Sequence, residues 1–324
     1  MSIKKIISTI KKNKSFLVTS HINPEGDALG SEVSFFMLLK KLGKEAHIVN
    51  ADLTPPEHAF LPGIANIKHL KGRLKDLDFD CFAILDSSDL RRCGEVAKLA
   101  EGKPTINIDH HISNEMFAGA NWVDAKASSC SEMIYRLYKE MNMPIDKDVA
   151  TLLYVGIMTD TGSFRYSNTT SKTHEIAADL IRYGLDVARL YKHAYGSVPF
   201  EDMKLLANIL PTMKRASEGR VVWFELRRKM FKDKSIFFDI NEHILNFARS
   251  IKGVEVAALF RENLKSKNEI RVNLRSQGNV DVNKIAGHFA GGGHRTASGC
   301  TVKGKLTDVK KRVLARIKAA LAAV

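Results

Sequence analysis

"SFLVTSHINPEGDALGSE", residues 15–32, is the stretch on which the fold turns. An apolar run, Phe16–Val18, gives way to a loop carrying His21, Glu25 and Asp27. The loop feeds a helical pattern with Leu29, Val33, Phe36 and Met37 on one side. Strand, polar loop and helix in that order are the first half of a βαβ unit. The two acids repel each other and have no basic neighbour in sequence, so the loop calls for something positive.

The same rhythm continues outward. "EAHIVN" (45–50), "CFAILD" (81–86) and "TINID" (105–109) read as further strands, with helices near 128–142 and 147–159. This predicts a doubly wound, mostly parallel sheet. From 171 to 214 the pattern is helical only. It then changes to strands at 219–226, 254–263 and 269–276, with a helix near 240–250 and a last one from Thr307. Thr307 and Asp308 suit a helix start. Val309, Val313, Leu314, Ile317 and Leu321 share one side, with Lys310, Lys311 and Lys318 towards solvent. The expectation is an α/β protein in three parts: a doubly wound parallel-sheet domain over 1–185, a helical connector over 186–214 and a smaller α/β domain over 215–324.

The chain has 324 residues, more than one core usually spans. Lys and Arg number 50 against 36 Asp and Glu, a net charge of +14. That excess fits an anionic partner, and equally a protein kept apart by its own charge. The four cysteines show no C-x-x-C spacing and read as reduced thiols of a cytoplasmic protein. The first residues, "MSIKKIISTIKKNK", lack the apolar core of a signal peptide, and "LLYVGIM" (152–158) is too short to span a bilayer, so no membrane partner is expected.

Ligands of open parallel sheets bind at the carboxyl ends of the strands. Four places put ionisable groups near such ends or beside them: His21, Glu25 and Asp27; Asp86 in "ILDSSDLRR"; Asp109, His110 and His111 in "NIDHHIS"; and Asp160 in "TDTGSF". Singly, each has an ordinary explanation. Asp27 and Asp86 could cap the helices that follow, the histidine pair could be solvated, and Asp160 could make a turn. Together they bring more negative charge than one pocket tolerates without cations. The donor set is oxygen-rich with imidazoles and no thiolate, which favours manganese or magnesium over structural zinc. Six such ligands suit two ions sharing a carboxylate, a device for hydrolysing phosphate esters.

The last third carries "GHFAGGGHRTASG" (287–299), preceded by "RVNLRSQG", in which Arg271, Asn273 and Arg275 alternate along one strand face and Ser276 follows. Successive glycines let backbone amides approach an anion. The other reading is a tight turn beside solvated arginines. Neither a dinucleotide-binding fingerprint nor a P-loop occurs in the chain.

These motifs, "HINPEGDALGS", "LDSSD", "DHH", "TDTGSF" and "GGGHRTASG" in this order, resemble the DHH/DHHA1 phosphoesterase family, in its stand-alone nanoRNase branch. The resemblance implies a DHH domain holding two Mn²⁺ ions (Mg²⁺ or Co²⁺ as substitutes) and a DHHA1 domain that closes over substrate. It implies His21, Glu25 and Asp86 on one ion and Asp27, Asp86, His110 and Asp160 on the other. His111 would face the phosphate, with Asp109 orienting a neighbouring imidazole. Arg275, Ser276, Gly292, Gly293 and His294 would receive substrate. Glu25 departs from the family pattern, where an aspartate is usual. The implied substrates are short RNA oligonucleotides, including pGpG and pApA, and 3′-phosphoadenosine 5′-phosphate; a homodimer is an assembly the family forms. Three alternatives stand beside this: a cyclic-dinucleotide phosphodiesterase, a pyrophosphatase, and a nucleotide- or RNA-binding regulator with a weak site.

Overall fold

The computed structural model describes residues 3–70, 77–196, 198–231, 240–263, 266–277 and 279–323. The chain divides into two compact units, Met1–Ser197 and Val198–Val324. The boundary falls inside the 186–214 stretch.

The first unit runs α1 (Ile3–Lys12), β1 (Ser15–Thr19), α2 (Gly26–Lys41), β2 (Glu45–Asn50), β3 (Ile67–His69), β4 (Cys81–Leu85), β5 (Thr105–Asp109), β6 (Ala120–Val123), α3 (Cys130–Glu140), α4 (Lys147–Asp160), α5 (Ser171–Ile181) and α6 (Val187–Tyr195). Its six strands are all parallel, in the order β3-β2-β1-β4-β5-β6. Alternate residues of each strand feed different cores, as the two-residue strand period requires. Phe16, Val18, Ala83, Leu85, Ile106 and Ile108 join the core made with α2, α3 and α4. Leu17, Val49, Phe82 and Ile84 join the opposite one, with Cys93 and Val96 of a 3-10 stretch, Leu90–Ala100. Each such large side chain contributes about 1.5–3 kcal/mol on burial.

The lysine-studded first residues form α1, whose Ile6 and Ile10 are fully buried. Strands β3 and β6 were not legible in the sequence; with three and four residues, they are held by pairing to β2 and β5 rather than by a pattern of their own.

The second unit runs α7 (Phe200–Ile209), β7 (Lys214–Ala216), β8 (Val221–Leu226), α8 (Ile240–Arg249), β9 (Val256–Glu262), β10 (Glu269–Ser276), α9 (Val282–Gly287), β11 (Gly292–Gly293), β12 (Ala297–Lys303) and α10 (Leu306–Ala322). The sheet order is β11-β12-β10-β9-β8-β7, parallel only between β8 and β9. Ile270, Val272 and Leu274 bury against Val309, Val313 and Ile317 of α10. Helix α10 starts at Leu306, one residue before the expected start, and Asp308 in its first turn suits the positive helix end there. One expectation for it is corrected. Lys310 donates to the buried carboxylate of Glu225 rather than pointing to water. Among the described residues, no helix is long and apolar enough to cross a membrane.

Candidate metal centre

The first sheet changes direction between β1 and β4. From β1 the chain builds outward through β2 and β3, then returns to lay β4, β5 and β6 on the other side. Diverging loops open a crevice at the carboxyl ends there. His21 follows β1, Asp86 follows β4, and His110 and His111 follow β5. The first turn of α2 adds Asp27 and the last turn of α4 adds Asp160.

His110 Nε2 faces three carboxylates, at 3.4 Å from Asp86 Oδ1, 3.6 Å from Asp160 Oδ2 and 3.7 Å from Asp27 Oδ2. His21 Nε2 lies 3.5 Å from Asp86 Oδ2. Asp86 therefore sits between the two imidazoles, one oxygen towards each. It does so with a φ of +54°, a left-handed conformation that costs a non-glycine residue roughly 1–3 kcal/mol. Its N–H donates to Ile108 O at 3.0 Å, which holds it there. Asp86 Oδ1 is buried and accepts no hydrogen bond among the described residues, although imidazole nitrogens stand at 3.4 and 3.6 Å. Glu25 is exposed at the helix start, and its charge acts on Asp160.

The neighbouring structure points these groups inward. Asp27 does not cap its own helix. Its carboxylate accepts from Cys130 N (2.7 Å) and Ser131 N (2.8 Å), tying α2 to the start of α3. Asp86 caps no helix either; Asp89 does so for the 3-10 stretch, accepting from Arg91 N at 2.9 Å. Helix α4 comes close enough to supply Asp160 because Gly156 has no side chain: a Cβ there would lie 2.0 Å from Ser131 Oγ and 2.9 Å from Asp27 Oδ1. His111 Nδ1 is 2.7 Å from Asp109 Oδ1, while Asn114 Nδ2 donates to Asp109 Oδ2 at 2.6 Å and to Asn107 Oδ1 at 2.8 Å. Asn107, Asn114 and Arg92, whose Nη1 lies 3.4 Å from His111 Nε2, escaped sequence reading. Amides inside strands and loops carry no spacing signal, though the arginine pair in "DLRR" was in view.

Charge balance in the crevice is unfavourable without a cation. Burial pushes Asp27 up to about 6, helped by the charge of Asp86. Burial and the neighbouring carboxylates of Asp27 and Asp86 drive Asp160 well above the usual carboxylate range, against the pull of His110. Asp86 is also buried, but the imidazoles of His110 and His21 beside it outweigh this and hold it well below its ordinary value. His110 is buried too, and Asp160, Asp86 and Asp27 together still draw a proton onto it.

The residues fit a divalent cation. Oxygen donors dominate, the imidazoles are intermediate in softness, and ligand atoms of Asp27, His110 and Asp160 all lie within 4.8 Å of one another. His21 Nδ1 lies 2.7 Å from Ile22 O and His110 Nδ1 lies 3.4 Å from Ala127 O, so a proton on each Nδ1 turns Nε2 into the inward donor atom.

In the second unit, Arg271, Asn273 and Arg275 share one face of β10, whereas Ser276, expected at the substrate, lies on the other, its hydroxyl buried and without a hydrogen-bond partner among the described residues. Gly292 and Gly293 are paired with Gly299 and Ser298 of β12. A Cβ at Gly293 would lie 2.5 Å from Ala297 O, and its φ is +141°, so close strand contact already demands glycine. His294 opens the turn that leads into β12, its carbonyl accepting from Ser298 Oγ at 2.7 Å. Arg275 is opposite Ala297, at the end of that turn.

Residues 15–157 match the DHH family, N-terminal domain, and residues 231–323 match the DHHA1 domain. The chain is 31% identical over 303 residues to the bifunctional oligoribonuclease and PAP phosphatase NrnA of Thermus thermophilus, covering 93% of this chain and 88% of that protein. It is 28% identical over 316 residues to the protein of the same name from Bacillus subtilis, covering 97% and 96%. The crystal structure of an exopolyphosphatase-related protein from Bacteroides fragilis aligns with a TM-score of 0.87 at 27% identity, covering 99% of this chain and 97% of that one.

Proposed function

Because the chain belongs to the DHH family and carries a DHHA1 domain, we propose that it is a metal-dependent phosphoesterase that hydrolyses very short oligoribonucleotides, dinucleotides such as pGpG and pApA included, and removes the 3′-phosphate of 3′-phosphoadenosine 5′-phosphate. The observation that carries this reading is the meeting of His21, Asp27, Asp86, His110 and Asp160 at the reversal point of the sheet. Two relatives of nearly equal length, named for both activities, support the substrate class.

In this reading His21, Glu25 and Asp86 would hold one Mn²⁺ and Asp27, Asp86, His110 and Asp160 would hold a second. Such ions would supply a lowered pKa for a bound water and positive charge beside the phosphoryl group. The chain's own residues do the rest. Asp109 holds Nδ1 of His111 and so fixes the ring, leaving Nε2 facing Arg92. Asp27, tied to two backbone N–H groups, keeps its donor oxygens fixed while substrate enters. Arg275, Gly292, Gly293 and His294 receive the nucleotide, and Ser276 supports the strand from the buried side. Four buried free cysteines fit a reducing, cytoplasmic setting.

A time course with Mn²⁺ on labelled two- to ten-nucleotide RNAs and on the adenosine bisphosphate tests this. Fastest release of mononucleotide from the shortest RNAs is expected, along with phosphate from the bisphosphate, and both should stop in EDTA. Cleavage of cyclic dinucleotides or pyrophosphate alone, or binding without release, overturns it.

A further inference from the structure

Arg91 and Arg92 are adjacent, and the fold uses them differently. Arg91 is exposed and saturated with carboxylate: its Nε is 3.0 Å from Asp89 Oδ1 and its Nη2 is 2.7 Å from Glu115 Oε1. Arg92 is partly buried and turned inward. Among the described residues it makes no ion pair, and its side chain's hydrogen-bond partner is His111 Nε2, at 3.4 Å. A neutral imidazole accepts one such bond and neutralises none of the charge. A guanidinium has five N–H donors in a planar fork suited to phosphate, so most of its bonding capacity stays unspent.

Its position is built. The Arg92 carbonyl accepts the N–H of Ile22, the residue after His21, at 2.7 Å. Gly94 has φ +61°, and a Cβ there would lie 3.0 Å from both Ala51 Cβ and Ile22 Cγ2, so the 3-10 stretch lies flush against the loop after β1. Arg92 is thereby anchored to the loop of His21 by its backbone and to the loop of His111 by its side chain. Its charge is felt at His21, where it works against protonation.

A lone cation beside a pocket meant for cations is repulsive until an anion joins them. We propose that Arg92 contacts the substrate directly, its guanidinium holding non-bridging oxygens of the phosphoryl group that the centre attacks, with His111 fixing the angle of the fork. This rests on the reading of the crevice as a phosphoesterase centre. It adds a cationic contact from the first unit that is neither a metal ligand nor part of the histidine pair.

The test compares Arg92→Gln, Arg92→Lys and Arg91→Gln with the wild type as full chains loaded with Mn²⁺. Loss of a charge-assisted phosphate contact in Arg92→Gln should lower kcat/KM on a dinucleotide about 100-fold and raise the orthophosphate inhibition constant at least about tenfold. Mn²⁺ affinity and melting temperature should stay near wild type, Arg92→Lys should recover part of the loss, and Arg91→Gln should stay within about threefold. Arg92→Gln within threefold of wild type in both rate and orthophosphate inhibition overturns the assignment. So does an equal loss of Mn²⁺ binding, which would make the residue structural. If Arg92→Gln does not fold, Arg92→Lys decides by the same two measurements. Should the wild type cleave no dinucleotide, the substrate reading fails but this inference is still decided: equilibrium binding of orthophosphate must weaken about tenfold in Arg92→Gln, and unchanged binding refutes it.

Discussion

Two regions of this protein bury carboxylates, and they solve the same electrostatic problem in opposite ways. In the second unit, Glu225 on β8 is surrounded by cations: Lys310 Nζ at 2.6 Å, Lys214 Nζ at 2.9 Å and Arg227 Nη2 at 3.4 Å. Burial opposes its ionisation, but these partners win and bring it from its ordinary 4.5 to about 2. The cluster is complete as it stands and ties β7, β8 and α10 together. In the first unit, among the described residues, the ion-pair partners of Asp27, Asp86 and Asp160 are imidazoles alone, at 3.4 Å or more. Two of the three acids are driven up rather than down. A carboxylate already neutralised by lysines is a structural clasp, whereas carboxylates that share only imidazoles leave room for a bound cation.

Breaking the unsatisfied region should cost function rather than stability. Asp160→Asn keeps the shape and removes one ligand charge, so turnover of a dinucleotide at saturating Mn²⁺ should fall at least about 1000-fold, as for loss of a metal-holding group. The folded signal in circular dichroism should be unchanged, and wild-type-like rates would remove Asp160 from the centre. A smaller, mixed effect is expected at Gly156→Ala. The added methyl meets Ser131 Oγ and Asp27 Oδ1, so overpacking should lower stability by about 1–3 kcal/mol and Mn²⁺ affinity should weaken as Asp27 shifts. Unchanged melting and metal titration would show that α4 can back away without consequence. The clasp should give the reverse pattern. Glu225→Gln should leave kcat within about threefold and cost roughly 1–3 kcal/mol, the range for groups hydrogen-bonded to charged partners. The folded value of Glu225 lies below its ordinary one, so its stabilisation is fully present above pH 4.5 and is lost as the pH falls towards 2. The difference in melting temperature between wild type and Glu225→Gln should therefore shrink over that window; a constant difference would show that the charge plays no part.

Much of this was legible beforehand where periodicity was strong. Strands β1, β2, β4 and β5 carry runs of apolar residues because both faces of a parallel sheet are covered. Helices α2, α3 and α4 stood out by spacing. The short strands β3, β6, β7 and β11 did not, because pairing with neighbours decides them and their own residues do not. Strand β12, "ASGCTVK", was hidden in what looked like the tail of a glycine-rich loop. The glycines of that loop illustrate the limit: their spacing suggested an anion cradle, and the backbone shows that contact with β12 already requires Gly293.

For the site, residue type and order were enough to name the acids and imidazoles, since strand-end placement follows from the βαβ rhythm and ligand chemistry follows from the side chains. Sequence alone could not say that Asp27 would be tied to the start of α3, that Asp86 would take a left-handed backbone between two histidines, or that one of two neighbouring arginines would turn inward while the other stayed at the surface. Those outcomes depend on distances between segments far apart in the chain, and such distances exist only once the sheet order is closed and the helices have packed onto it.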